Sequence, residues 1–207
     1  MTSPLSDLHS EIRDCTICAP HLTHGVRPVV QFSATARVLI IGQAPGSKVH
    51  ASGIPWDDDS GNRLREWTGL SREQLYDPAK VAIMPMGFCY PGKASGGDKP
   101  PRKECAPQWH ERILATLPPD RITLLVGSYA QAYYLPATRS MSLTNRVRQF
   151  DSFLPDMLPL PHPAWRSAIW AKKNPWFGEI VLPRLRAEIT AKLKPNSVDP
   201  VKTSDAV

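Results

Sequence analysis

Four short apolar segments recur along the chain, and each stops abruptly at a glycine or a proline. The first is Val38-Leu-Ile-Ile41, in which β-branched residues dominate and Gly42 follows directly. Uninterrupted apolar runs of this length are typical of strands that are buried on both faces of a parallel sheet. The pattern predicts buried strands at residues 38–41, 81–84, 123–127 and 157–161.

Apolar residues at helical spacing separate these strands and predict helices between them. Leu5, Leu8 and Ile12 define the first helix, and Ser60 is expected to cap the second. The last helix contains Pro183, which either kinks it or marks its start. Helices are predicted at residues 4–18, 61–69, 108–117, 128–135 and 175–193, with a short helix or a loop at 140–150.

The alternation of strands and helices predicts an α/β fold, a three-layer α/β/α sandwich with a central, mostly parallel four-stranded sheet. We expect one domain over residues 1–193. Residues 194–207 are rich in polar residues and proline, so a disordered tail is predicted there.

The carboxyl ends of parallel strands lie at one edge of a sheet, so the loops that follow them are expected to meet. Those loops begin at Gly42, Pro85, Gly127 and Pro161. A further loop, at residues 88–107, is rich in Gly, Pro and Lys, and a loop of that length in a compact domain is usually functional.

The composition of the chain predicts a class of binding partner and a cellular compartment. The formal net charge of +6 over 207 residues favours a polyanion, with nucleic acid the first candidate. No apolar run approaches the roughly 18 residues that cross a bilayer, and no signal-peptide core is seen, so a cytoplasmic monomer without a membrane partner is expected.

The chain has four cysteines, Cys15 and Cys18 in a C-x2-C pair and Cys89 and Cys105 far downstream. In a reducing compartment this set favours a metal site, either zinc or an iron–sulfur cluster, over disulfides. The alternative of buried thiols without a metal suits Cys89, at a strand end, better than the pair near the N-terminus.

The segment after the first strand carries candidate chemistry. Gly42-Gln-Ala-Pro-Gly46 is a turn that lets backbone amides approach a ligand, and Gln43 supplies a donor and an acceptor. Trp56 offers a flat face for a heterocycle, and an aspartate among Asp57, Asp58 and Asp59 could orient a water. The alternative is that the three aspartates form a solvated helix cap.

A second segment, Leu158 to Arg166, holds His162 between two prolines. A rigidly held imidazole suits hydrogen bonding to a developing anion, although a lone histidine is more often structural. Trp165, Arg166, Lys172 and Lys173 mix aromatic and cationic side chains, as expected for DNA contact. An ordinary amphipathic surface explains them equally well.

With these residues placed, the chain resembles the uracil-DNA glycosylase superfamily from about residue 15 to 177, and it is most similar to the iron–sulfur branch (family 4). The number and spacing of Cys15, Cys18, Cys89 and Cys105 match that branch, and the resemblance implies that they bind a [4Fe-4S] cluster. Gly42-Gln-Ala-Pro-Gly46 matches its first motif, G-x-x-P-G.

Two further segments carry the resemblance. Gly53-Ile-Pro-Trp56 resembles the segment whose aromatic ring stacks on the flipped base. His162-Pro-Ala-Trp-Arg166 resembles the second motif, whose histidine donates to uracil O2 and whose following residues enter the duplex. The base pocket that the resemblance implies comprises Gly42, Ala44, Trp56, Pro85, Met86, Gly87 and Phe88.

The chain departs from the family-4 pattern at two positions. Gln43 stands where family 4 carries an acid, whereas Asp58 overlays on the acidic position of the G-D-x-S-G segment of family 5. We therefore expect Asp58 to activate water and the backbone near Gln43 to stabilise the leaving base. Pro85 replaces a uracil-reading Asn, so recognition is expected to use backbone groups of residues 85–88, with relaxed specificity.

The resemblance implies a monofunctional glycosylase that flips uracil, or another deaminated base, out of DNA and leaves an abasic site. Two alternatives belong to other classes. One is a DNA-binding member of the fold that lacks catalysis, and the other is an iron–sulfur redox or sensor protein.

Overall fold

A four-stranded, all-parallel sheet forms the centre of the protein, whose computed structural model describes residues 3–194. The sheet order is 2-1-5-6 when strands are numbered along the chain, and strands 3 and 4 form a separate hairpin. The strands are β1 (Val38–Ile41), β2 (Val81–Ile83), β3 (Lys93–Ala94), β4 (Gly97–Asp98), β5 (Ile122–Val126) and β6 (Met157–Leu160).

Nine α-helices connect or flank these strands within residues 3–194. They are α1 (Pro4–Arg13), α2 (Ser47–Ser52), α3 (Asp59–Thr68), α4 (Arg72–Leu75), α5 (Cys105–Leu114), α6 (Ser128–Tyr134), α7 (Leu143–Arg148), α8 (Arg166–Lys173) and α9 (Leu182–Leu193). Short 3₁₀ turns lie at Ala19–His21, Pro136–Thr138 and Phe150–Phe153, and a π-helical turn at Phe177–Val181 leads into α9.

Strand β1 explains why the apolar runs are continuous. Val38 and Ile40 pack into the core on one face of the sheet, with residues of α3 and α9, whereas Leu39 and Ile41 pack into the core on the other face, with residues of α1, α5 and α6. Both faces are covered, so every residue of the strand is buried. The predicted three-layer sandwich with a parallel sheet is confirmed.

Helix boundaries show where sequence patterns misled. Helix α1 ends at Arg13, so the predicted continuation to residue 18 is wrong. Helix α3 is capped by Asp58, whose Oδ1 accepts the Gly61 N–H at 2.9 Å, and not by Ser60. Pro183 lies in the first turn of α9, where its missing N–H costs no hydrogen bond.

Three helices, α2, α4 and α8, were not predicted, because each is short and carries few buried residues. The predicted loop at 88–107 instead contains the β3–β4 hairpin and the start of α5. The predicted tail lies almost wholly outside the described residues. Within residues 3–194, no helix is both long enough and apolar enough to cross a bilayer.

Candidate active site

A cavity of about 320 Å³ opens at the carboxyl edge of the sheet. Its volume is at the lower end of the range for small-molecule sites. The loops after β1, β2 and β6 line it, together with the start of α3 and the β3–β4 hairpin, so three of the four predicted loops meet. The lining residues used below are Gly42, Gln43, Ala44, Gly46, Trp56, Asp58, Pro85, Asp98 and His162.

Trp56 is held in an unusual backbone conformation, with φ at 56°. A side chain larger than hydrogen at Gly42 would collide with the indole, because a β-carbon there would lie 2.8 Å from Trp56 Cζ2. Gly61 is likewise required by the close approach of the Trp56 carbonyl oxygen. Strain of this kind persists only where the surroundings fix it, which is typical of functional sites.

His162 lies beside Trp56, with ring centroids 5.8 Å apart. The loop that carries it is fixed by Arg63, whose Nη1 donates to the Pro163 carbonyl at 3.0 Å. Burial lowers the pKa of His162, while the charges of Asp58 and Asp98 act in the opposite direction. The imidazole is therefore mainly neutral at pH 7 and has one N–H to donate.

The three consecutive aspartates have different environments. Asp57 pairs with Arg72 at 3.4 Å, and the exposed Asp59 pairs with Lys48 at 3.3 Å. Of the three, only Asp58 lines the cavity. Its Oδ1 caps α3, and its Oδ2 faces Gly46, so the helix-cap alternative and a position in the cavity hold at once.

Gln43 and Ala44 also line the cavity. The Gln43 side chain donates from Nε2 to the Lys99 carbonyl at 3.3 Å, which ties the first loop to the chain beyond the β3–β4 hairpin. Its backbone carbonyl accepts the Gly87 N–H at 3.0 Å, and the Gly42 carbonyl accepts the Met86 N–H at 2.9 Å. The first loop is thus braced from two sides.

Pro85 lines the cavity, whereas Met86, Gly87 and Phe88 do not. The N–H groups of those three residues are bonded to Gly42, to Gln43 and to Cys105 Sγ. The sequence predicted base recognition by backbone groups of residues 85–88, and the hydrogen bonds of these three N–H groups do not favour that role for them.

A buried histidine anchors Pro85 from behind. His110 Nε2 lies 3.1 Å from the Pro85 carbonyl, and its Nδ1 lies 2.7 Å from the Tyr134 hydroxyl. Burial lowers the pKa of His110 to about 4. Neutral His110 therefore donates from Nε2 to Pro85 and accepts the Tyr134 O–H at Nδ1.

Asp98, at the end of β4, is a cavity residue that the sequence did not single out. It belongs to none of the predicted motifs. The only signal was its position in a long loop expected to be functional, next to two glycines.

The predicted DNA-contacting residues lie after His162, at the start of and along α8. Trp165 is 65% exposed, and the guanidinium of Arg166 lies 5.2 Å from the centroid of the Trp165 ring. Ile169 on the same helix is 53% exposed, while Lys172 and Lys173 end it as exposed cations. A large aromatic side chain held in water, with cations behind it, is suited to contact with a base stack and phosphates.

All four cysteines line a second cavity, next to the N-terminal arm, with Ile12, Leu22, Phe88 and Trp109. The Phe88 N–H donates to Cys105 Sγ at 3.3 Å. Burial raises the pKa of Cys105 to about 12 and that of Cys89 to about 11. At neutral pH these groups are thiols unless a cation stabilises their thiolates.

Four cysteines around one cavity are a donor set of the kind that iron–sulfur clusters and zinc use, and the occupant stays a prediction. Within residues 3–194, no three His, Cys, Asp or Glu side chains are arranged to hold one metal ion. An iron–sulfur cluster uses four thiolates bound to different irons, so its ligands can lie further apart. Four soft donors around one apolar cavity fit that donor set.

The parallel sheet, the strand-end cavity and its aromatic, carboxylate and imidazole side chains define an α/β protein with a site suited to a planar heterocycle. The family model of the uracil DNA glycosylase superfamily matches residues 29–186. The chain therefore belongs to this superfamily, which indicates glycosylase-type DNA repair with DNA as the substrate. The matched range excludes Cys15 and Cys18, and the branch of the superfamily stays a prediction.

Proposed function

We propose that the protein is a monofunctional DNA glycosylase that hydrolyses the N-glycosidic bond of uracil, or of another deaminated base, and leaves an abasic site. The observation that carries this proposal is the convergence of Trp56, Asp58 and His162 on one cavity of about 320 Å³. A nucleobase must leave the duplex to reach such a cavity, and enzymes that act on bases flip them in this way.

The DNA side of the proposal uses the exposed end of the second motif. Trp165 takes the space that the flipped nucleotide leaves, with Arg166, Lys172 and Lys173 on the phosphates. The flipped base then stacks on Trp56, whose indole is held against Gly42.

Cleavage of the glycosidic bond builds negative charge on the base and positive charge on the sugar. His162, which is neutral, donates its N–H to the departing base, and backbone amides of the loop that contains Gln43 add to this stabilisation. Because the imidazole is already neutral, its remaining N–H stays available as a donor across the neutral pH range.

Asp58 acts on the sugar side. Its Oδ1 is fixed by the Gly61 N–H, which leaves Oδ2 to hold the attacking water and to favour the cationic sugar. Lysine is absent from the residues that line the described cavity, which supports hydrolysis over a Schiff-base lyase reaction.

A [4Fe-4S] cluster held by Cys15, Cys18, Cys89 and Cys105 is part of the proposal, and zinc is the less favoured occupant. A cluster at this place would tie the N-terminal arm to the segment after β2 and would supply structure to the fold. The predicted cytoplasmic location and monomeric state belong to the same proposal.

The test is an excision assay with oligonucleotides that carry uracil, hypoxanthine or xanthine, in single and double strands. We expect abasic product from at least one of these bases, and no borohydride-trapped covalent complex. Binding to these oligonucleotides without an abasic product would instead identify a DNA-binding member of the fold that lacks catalysis.

A further inference from the structure

Asp98 brings a second carboxylate into the cavity, from the β3–β4 hairpin. A β-carbon placed on Gly46 would lie 3.5 Å from Asp98 Oδ2 and 3.9 Å from Asp58 Oδ2. The two carboxylates therefore face the same space, and both act electrostatically on His162. Proposed catalysis uses one of them, which leaves Asp98 without a role.

Both contacts of Asp98 with other side chains are made by one of its carboxylate oxygens. Oδ1 accepts the Tyr90 hydroxyl at 3.5 Å and lies 3.6 Å from Lys93 Nζ. Tyr90 is only 2% exposed, and burial together with the charge of Asp98 raises its pKa, so its hydroxyl remains a donor. Among the described residues these are the partners of Asp98, so Oδ2 keeps its capacity to accept a hydrogen bond from a ligand.

The other groups near Pro85 leave base recognition to this hairpin. Proline has no N–H, and the Pro85 carbonyl already accepts from His110. The N–H groups of Met86, Gly87 and Phe88 are bonded elsewhere. Asp58 and His162 are assigned above to cleavage of the glycosidic bond, and Asp98 adds to the same cavity a carboxylate oxygen with no protein partner among the described residues.

We propose that Asp98 reads the base, by accepting the ring N–H that uracil carries at N3 and that hypoxanthine and xanthine carry at N1. This inference rests on the proposed function and names its substrate class as lactam bases. A lactam presents an N–H beside a carbonyl oxygen. Cytosine and adenine present the reverse order, an acceptor ring nitrogen beside an amino group.

Lys93 lies beside Asp98, with its Nζ 3.6 Å from Oδ1 and its side chain largely in solvent. Its charge partly offsets that of the carboxylate, which limits repulsion of the departing base anion. Deamination of cytosine and of adenine converts the reverse order into a lactam, so one acceptor recognises both uracil and hypoxanthine. Xanthine presents to the same acceptor the N1–H that guanine already carries.

The experiment measures whether Asp98 and the base N–H act on each other. Duplexes carry uracil or N3-methyluracil on a 2′-fluoroarabinose sugar, which resists cleavage, and their affinity is measured for the natural protein and for Asp98→Ala. In the natural protein, methylation is expected to weaken binding by about 10- to 100-fold. In Asp98→Ala that penalty is expected to fall to a few-fold.

Asp98→Asn provides a second variant of the same shape, and Asp7→Ala, on α1, is the matched control for the loss of one carboxylate. Asp98→Asn can also donate, so its affinity for cytosine duplexes should rise relative to uracil, while Asp7→Ala should keep the natural values. If methylation weakens the affinity of Asp98→Ala as much as that of the natural protein, the assignment is overturned, whether or not the variant also loses excision. A natural protein that binds the duplexes with the expected penalty but never cleaves uracil contradicts the proposed function alone.

Discussion

The two cavities of this protein differ in the environment that they give to their ionisable side chains. In the strand-end cavity, Asp58 and Asp98 each spend one oxygen on the protein and turn the other towards the cavity. In the cysteine cavity, the thiols lie among mainly apolar side chains, with Arg102 and Glu104 as the charged exceptions, and burial raises the pKa of Cys89 and Cys105. The first cavity is already organised to bind a neutral molecule. In the second, the cysteines favour the charged thiolate form only when a cation is bound.

The largest expected effect concerns the strand-end cavity. Asp58→Asn should lower single-turnover excision by roughly 10²–10⁴-fold with DNA affinity preserved, because an amide cannot take up the proton of the attacking water. Asparagine is also a good helix cap, so the fold should hold. Asp59→Asn is the matched control, since Asp59 is the neighbouring aspartate outside the cavity. Equal rates for the two variants would remove Asp58 from the mechanism.

The second prediction concerns the cysteine cavity. Purified protein should be brown with broad visible absorption, and Cys105→Ser should lose both the colour and the bound iron. Loss of the cluster should lower Tm by roughly 5–10 °C, because structural metal binding stabilises the fold. Elemental analysis and thermal melting measure these changes. A colourless natural protein that contains zinc would reject the iron–sulfur proposal.

The third prediction concerns the wall that bears Pro85. His110 has a pKa of about 4 in the fold against an ordinary value of 6.5, so the unfolded chain binds more protons between these values. The contribution of His110 to the free energy of unfolding is fully present above pH 6.5. It falls by about 3 kcal/mol as the pH decreases towards 4.

Urea unfolding at several pH values tests this, with His110→Gln as the variant. The slope between pH 6.5 and 4 should flatten in His110→Gln, although its stability at pH 7 is lower. A natural protein equally stable at pH 4.5 and pH 7 would contradict the assignment of His110 as a buried neutral group.

The smallest expected effect is on DNA affinity. Replacement of both Lys172 and Lys173 by Ala should weaken binding to all sequences alike and reduce the salt slope of log K by about 2, because each phosphate contact releases about one counterion. Lys80 and Lys192, which line a groove at the other end of the sheet, provide the matched double variant. A larger loss in the control would place the DNA at that other end.

The sequence by itself determined where the strands of the sheet lie and which of the loops after them carry candidate catalytic residues. Unbroken apolar runs such as Val38–Ile41 can be buried only between two layers, so strand positions and the meeting of their loops followed from the pattern. The motifs with Trp56, Asp58 and His162 were also visible, because their residue types and spacing are local properties of the chain.

Only the tertiary structure decided which of those residues share a cavity and which of their hydrogen-bonding groups remain available to a ligand. Asp57 and Asp59 have partners outside the cavity, and the amides of Met86, Gly87 and Phe88 are already bonded. Asp98 reaches the cavity from a hairpin that no periodicity indicated. The physical reason is that hydrogen-bond partners and burial depend on contacts between residues far apart in the chain, which local patterns do not encode.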